Sequence, residues 1–363
     1  MDTIYRQLQR KLNTLGLGLP ETDQGYELEY LEELFSPEEA DFALKMDLGM
    51  HTTAEFAESM QMPLEEVDAM LRAMAKHSIV FRLHDGDKTF YYLLPVIHGF
   101  LEFGIDRFTP SIARSFSKHY VNGMGRRFYG STEPLFRALP IRRGVVENDA
   151  CLPEDDFEAI IRRQDKIALT PCFCRTSSNM NPKATGCKLN PDYSELCIVF
   201  GIFADFYVEN GNGRYITMEE ALEHMRRCDI NGNIIQVLNS QNVEVMCSCC
   251  SCCCGVMKAL IMYGGPSADL ASNYKVHYEE SECAHCGICE KRCNMGAITM
   301  DENKNLTVNT NRCLGCGVCV TTCPSKALKL HRKLEDEVYH SPTENVLELY
   351  DYVRELRRKT SEI

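Results

Sequence analysis

The spacing of cysteines constrains this chain more than any other feature. Cys283, Cys286, Cys289 and Cys293 follow the pattern C-x2-C-x2-C-x3-C. Thirty residues on, Cys313, Cys316, Cys319 and Cys323 repeat it, and Pro324 follows the last. Thiolates two residues apart reach adjacent corners of a cubane, because the tight loop between them turns its amides toward the sulfurs. The fourth cysteine of such a run sits a turn further on and ligates the neighbouring cluster. Two [4Fe–4S] clusters held close together make a path for electrons. Zinc fits this spacing poorly. Structural zinc takes four ligands in two separated pairs, not four within one short run, twice over.

The repeat runs beyond the ligands. Gly287 corresponds to Gly317, and Ala297-Ile298 to Ala327-Leu328, as in a duplicated half-domain. Residues 279–330 resemble the bacterial two-cluster ferredoxin domain. The resemblance implies that Cys283, Cys286, Cys289 and Cys323 hold one cluster, and that Cys313, Cys316, Cys319 and Cys293 hold the other. One departure exists. The family usually places proline after each fourth cysteine, whereas Asn294 follows Cys293 here. That leaves the local loop less rigid and removes no ligand.

A second cysteine field lies upstream. It comprises Cys172, Cys174, Cys187, Cys197, Cys247, Cys249, Cys250, Cys252, Cys253 and Cys254, with Cys151 and Cys228 apart from it. Six of the ten crowd into residues 247–254, between a predicted strand and a predicted helix. Adjacent cysteines seldom form disulfides, whose geometry needs separated and suitably oriented Cβ atoms. Free thiols at this density would oxidise and exchange in a cell unless metal held them. Thiolate ligands select iron–sulfur clusters or zinc over hard cations, and fusion to a ferredoxin-like segment favours iron–sulfur. Ten thiolates suffice for one or two additional clusters, with zinc the weaker alternative and the ligand subset open. Cys252-Cys253-Cys254-Gly255 contains a CCG triplet similar to that of heterodisulfide reductase-type domains, whose clusters are noncubane. Its spacing differs, so no residue role carries over. The arrangement as a whole resembles a group of cysteine-rich, ferredoxin-fused proteins of anaerobes. Those carry a winged-helix start, a C-x-C-R element (here Cys172 to Arg175), a CxCCxCCC element and a terminal ferredoxin.

The expected fold class is α+β and multidomain. A winged-helix-like module is expected over residues 1–105, a basic connecting segment over 106–144 and a cysteine-rich α/β cluster domain over 145–275. A ferredoxin-like dicluster domain over 276–332 and a helix over 333–363 complete the chain. Ser36, Pro37 and Glu39 read as a capped helix start, as do Thr52 with Glu55 and Thr217 with Glu220. Pro63 opens a helix with Leu64, Val67, Met70, Leu71 and Met74 on one face. A hairpin turning at residues 84–88 follows it. Residues 107–143 read as loops and a short helix. Lys166 to Leu169, Ile234 to Leu238 and Val243 to Met246 read as strands, and Gly255 to Met262 as a helix. Ser341 and Pro342 read as the start of the last helix.

The apolar share, 44%, is ordinary for a soluble protein with a real core. No secretory signal pattern is present at the start. The most apolar stretch, residues 196–208, is too short to span a bilayer. These features predict a cytoplasmic protein without a membrane span, in a compartment where dense cysteines mean metal rather than disulfides. The formal charge of −13 makes nucleic acid an unfavourable general partner. The would-be reading helix adds to this, since Glu65, Glu66 and Asp68 stand where a major-groove reader contacts bases. Arg107, Arg114, Lys118, Arg126, Arg127, Arg137, Arg142 and Arg143 form a basic stretch. It docks an acidic partner or a substrate phosphate, or it pairs internally.

Dinucleotide and P-loop fingerprints, a nucleophile elbow and a haem motif are all missing. Gly211-Asn212-Gly213 reads as a turn. Whether the chain is itself an enzyme is open, with no catalytic residue indicated; if it is one, it is an iron–sulfur oxidoreductase subunit. The leading expectation is an iron–sulfur electron-transfer protein. It would pass low-potential electrons through two [4Fe–4S] clusters and at least one further cluster. The partner would be a redox protein, such as a flavoprotein or a larger oxidoreductase complex. One alternative is an oxidoreductase with a substrate-binding open iron in the 172–254 field. Another is a redox-sensing winged-helix regulator.

Overall fold

The structure, a computed structural model, describes residues 3–128, 134–147, 149, 151–181, 186–189, 195–264, 270 and 272–360. Near the N-terminus, backbone donors are satisfied locally before packing begins. Ser36 and Glu39 close a capping box at the helix Pro37–Lys45, and Thr52 with Glu55 closes another at Thr53–Met60. Such caps satisfy amides that the first helical turn leaves without partners. The helix Leu64–Lys76 follows Pro63 and buries Val67, Leu71 and Met74. Leu64 does not join that face; it is 54% exposed. These two helices pack with three antiparallel strands, β1 (His51–Thr52), β2 (Val80–Asp85) and β3 (Lys88–Leu93), ordered β1-β3-β2.

The central element is a six-stranded antiparallel sheet. Its strands are β4 (Phe136–Ala138), β5 (Ile167–Pro171), β6 (Glu195–Phe200), β7 (Arg214–Tyr215), β8 (Ile234–Leu238) and β9 (Val245–Cys249). Their order is β4-β8-β9-β6-β5-β7. All five residues of β8 are buried, the pattern of a strand covered on both faces. Two expectations are corrected here. The basic segment is not mainly loop: Thr109 caps a 13-residue helix, Pro110–Asn122, with proline in its first turn. The same segment also contributes β4, so the central sheet begins upstream of residue 145.

Aromatic packing ties the N-terminal module to this sheet. Phe81 lies 4.8 Å from Phe206 and 5.2 Å from Phe203 between ring centroids, and Phe103 lies 5.1 Å from Phe206. Each such pair adds about 0.5–1.5 kcal/mol beyond area burial. Asn210 donates to Ala75 O and Ser78 Oγ, and Asn212 to Phe103 O and Asp106. The turn around Asn212 is therefore a docking point.

Four short strands organise the C-terminal part. β10 (Tyr274–Tyr278) pairs with β13 (Leu328–Arg332), and β11 (Ile298–Met300) pairs with β12 (Leu306–Val308). The last helix is Val346–Lys359, and its cap is Asn345, which accepts from Glu348 N. Ser341 was the expected cap. Its hydroxyl instead donates to Asn239 O at 2.6 Å and accepts from Thr343 N at 3.3 Å, in a turn that ends before the helix begins. Val346, Leu349, Tyr350 and Val353 are buried. Tyr350 donates to His98 O at 2.6 Å, and Arg357 to Asn13 O and Gly16 O. The helix thus clasps the N-terminal region. No described helix is long and apolar enough to cross a membrane.

Candidate metal centres

Local backbone geometry builds the first two centres. Gly287 and Gly317 adopt positive φ (71° and 78°) within the two cysteine loops. Glycine takes this conformation without the strain that a Cβ brings. Cys283, Cys286, Cys289 and Cys323 line one small cavity. Cys293, Cys313, Cys316 and Cys319 line a second. Each cavity is lined by four cysteines that the ferredoxin resemblance groups together. Amides face the sulfurs, with His285 N 3.4 Å from Cys283 Sγ and Ala297 N 3.2 Å from Cys293 Sγ. The first quartet reaches solvent at Cys286, which is exposed. The second lies deeper, where burial raises the Cys316 thiol to about 12.

Three neighbouring strands and two helix starts build the third centre. Cys172 follows β5, Cys197 sits on β6, and Cys247 and Cys249 sit on β9, two residues apart on one face. Cys197 and Cys247 are cross-strand partners. Cys174 lies in the first turn of the helix Phe173–Met180, and Cys254 is the N-cap of Gly255–Tyr263. The six thiols lie close enough to shift one another's ionisation, in the order 172–174–254–249–247–197 and back to 172. They line a cavity of about 150 Å³. Hydrogen bonds from Cys174 and Cys249, then amides of the helix start, hold the Cys254 thiol well below its ordinary value. Bonds from Cys197 and Cys249 lower Cys247 to about 7. Contacts with Cys247 and Cys254, then burial, push Cys249 up. Helix N-termini and neighbouring donors are the usual means of stabilising thiolates.

The remaining four cysteines of the field gather separately. Cys187 Sγ is 3.6 Å from Cys250 Sγ and 3.8 Å from Cys252 Sγ. Cys252 Sγ is 3.2 Å from Cys250 Sγ and 3.9 Å from Cys253 Sγ. The ten cysteines thus divide into six and four, and none is left over. Cys151 and Cys228 join neither group; they contact Tyr274 and His224.

Residues 276–330 match the 4Fe-4S dicluster domain. Comparison of the chain with curated proteins finds no match. The chain therefore carries a dicluster domain and further cysteine clusters, the equipment of iron–sulfur electron transfer. Thiolates suit such clusters as soft ligands. The dicluster domain docks tightly on the central sheet. Ile141 N donates to Cys316 O at 2.9 Å, and Asn294 Nδ2 to Gly232 O at 2.7 Å. Asn294 stands where the ferredoxin pattern usually has proline, so the departure supplies a domain-joining hydrogen bond. Ile234 of β8 lines the cavity of the second quartet and is the in-register partner of Cys249.

The basic stretch resolves largely inward. Arg107 donates to His77 O and Leu34 O. Arg137 pairs with Asp155 at 3.1 Å with both side chains buried, Arg142 with Asp156 at 2.7 Å and Arg143 with Asp229 at 3.0 Å. Arg175, whose role the sequence leaves open, is buried and donates to Cys250 Sγ at 3.8 Å. Sequence reasoning missed Gln236, which sits opposite Cys247 and donates to Cys254 Sγ at 3.7 Å. It also missed Ile234. Nothing local marks either residue, because each matters through a strand pairing made by distant segments.

Proposed function

We propose that the protein is an electron conduit in which three cysteine-lined centres lie in series. The first quartet (Cys283, Cys286, Cys289, Cys323) is the entry or exit, the second (Cys293, Cys313, Cys316, Cys319) the relay, and the six-thiol cavity the inner terminus. The observation that carries this reading is Ile234. It closes the second quartet's cavity on one side and pairs with Cys249 on the other. Bound iron–sulfur clusters supply reversible one-electron storage at potentials set by charge, hydrogen bonds and exposure.

The chain's own residues order the path. Exposure of Cys286 leaves the first quartet accessible to a redox partner. The second quartet and the six thiols are more enclosed than Cys286, which limits water at the inner steps. Six thiolates exceed the four that a cubane's four irons take. The six-thiol cavity therefore suits a cluster larger than a cubane or one with bridging thiolates. Gly255 N, 3.5 Å from Cys174 Sγ, and Gln236 Nε2 supply hydrogen bonds to the thiols, which would raise a bound cluster's potential. The N-terminal region reads as a winged-helix-like docking module rather than a DNA reader. Arg72 of its helix is paired with Asp68 at 2.7 Å, and Lys76 reaches Asn210 O of the central part. The oxidoreductase reading draws on the same cavity, whose lining includes Ser177, Ser178, Asn181 and Lys258.

The test is stopped-flow reduction of anaerobically purified protein by a low-potential protein donor, with the parent compared to Cys286→Ser. Slowing of central-site reduction by tenfold or more in the variant is expected, with full reduction by a small-molecule reductant retained. Equal protein-donor rates in parent and variant would overturn the serial order.

A further inference from the structure

The four-thiol group differs from every other cysteine set in this chain, and the difference is one of scale. Among the described residues, Cys187, Cys250, Cys252 and Cys253 have all four sulfurs within 4.8 Å of one another. Neither dicluster quartet nor the six-thiol circuit contains even three sulfurs gathered so closely. The dicluster quartets thus serve as a ruler inside the same molecule. A cubane carries its thiolates outward on four separate irons, about 6 Å apart. One tetrahedral ion with metal–sulfur bonds of about 2.3 Å brings its thiolates to about 3.8 Å from one another. Four of the six sulfur–sulfur separations here run from 3.2 to 3.9 Å.

We propose that Cys187, Cys250, Cys252 and Cys253 bind a single tetrahedral zinc ion, without inorganic sulfide. Three ligands come from four consecutive residues, 250–253, folded by a turn in which Cys253 N donates to Cys250 O. The fourth comes from a distant segment, so the ion staples residues 186–189 to the start of the helix Gly255–Tyr263. The set is buried apart from Cys252, which is half-buried. Arg175 places a buried guanidinium on Cys250, offsetting the negative charge that four thiolates and one divalent ion leave. Zinc is chosen over ferrous iron because a given thiolate site binds it more tightly. Binding releases the thiol protons and transfers no electron. The site would therefore be structural, set beside the six-thiol cavity, whose lining Cys250 and Cys253 share.

The experiment is metal and sulfide analysis of the intact, anaerobically purified protein, together with zinc-edge X-ray absorption. One zinc per chain with four sulfur neighbours at about 2.3 Å and no iron neighbour is the expected result. In Cys187→Ser and Cys252→Ser, zinc should fall at least fivefold while iron and sulfide stay at the parent level. One iron in place of zinc would overturn the choice of ion. Loss of iron and sulfide together in these variants would overturn the single-ion site. The spectrum of the unmodified protein decides the matter even if both variants fail to fold. The serial-conduit reading is read from iron and reduction rates, so either idea can fail alone.

Discussion

The two cysteine-rich parts of the molecule solve one problem by opposite means. The dicluster domain draws three ligands of each quartet from one tight loop, and positive-φ glycines shape those loops. The central field draws its six-thiol circuit from β5, β6, β9 and two helix starts, and its four-thiol group from a turn and a distant segment. A loop motif carries its spacing in the sequence. A sheet carries it in register, which exists only once strands separated by tens of residues have paired. The first kind of centre tolerates distant change; the second depends on the whole sheet.

Metal content separates the two regions most strongly. Cys286→Ser should lose about four irons and leave the central centres filled. Cys247→Ser should lose the iron bound beyond the dicluster domain's complement of about eight and leave that domain intact. Iron and sulfide analysis checks both. Loss of all iron from either change would erase the distinction.

Buried pairing in the linking segment comes next. Arg137→Ala strands Asp155 without its partner inside the protein, at a cost of about 3–5 kcal/mol. Arg142→Ala breaks a pair whose arginine is two-thirds exposed, costing under about 1 kcal/mol. Denaturant unfolding of the two variants, followed by far-ultraviolet circular dichroism, compares them. Similar losses would mean that the segment is not part of the central core.

Backbone approach gives a third contrast. A Cβ on Gly315 (φ +61°) would lie 2.0 Å from Tyr274 O, whereas one on Gly211 (φ +80°) meets nothing within 4 Å. Gly315→Ala should cost about 3 kcal/mol or more, through strain plus the clash. Gly211→Ala should cost only about 1–2 kcal/mol, for the left-handed backbone alone. Thermal unfolding checks the ranking.

The most gradual effect is a pH slope. Burial raises Glu244 from its ordinary value to about 7, although it accepts Val346 N at 2.6 Å. Between about pH 4.5 and 7 the folded chain keeps a proton that the unfolded chain releases, so stability falls as pH rises through this window. The span is at most about 3 kcal/mol, at 1.36 kcal/mol per pKa unit. Glu244→Gln should flatten that part of the stability profile, measured by denaturant unfolding at pH 4.5 and 8. An unchanged slope would mean that Glu244 titrates normally.

Legibility in the sequence follows the same division. The dicluster loops and the boxes at Ser36, Thr52 and Thr217 are local, and all are present as read. Thr109-Pro110 carries the same kind of signal, but surrounding charge and glycine disguise it. Ser341-Pro342 carries it too, yet Ser341 is tied to Asn239 O in a preceding turn and the helix is capped by Asn345. The division of ten cysteines into six and four was half visible. Cys247 and Cys249 share a face because strand side chains alternate, and Cys250 begins the turn that follows the strand. What no local pattern shows is that Cys197 meets Cys247, or that Cys187 reaches residues 250–253, since those contacts belong to the folded sheet.

Counting iron and sulfide in anaerobically purified, intact protein bears hardest on the idea that the central cysteines conduct electrons. A total clearly above eight irons per chain, with sulfide to match, is the predicted result. Eight irons or fewer, with the dicluster domain's signal alone in the reduced electron paramagnetic resonance spectrum, would contradict it.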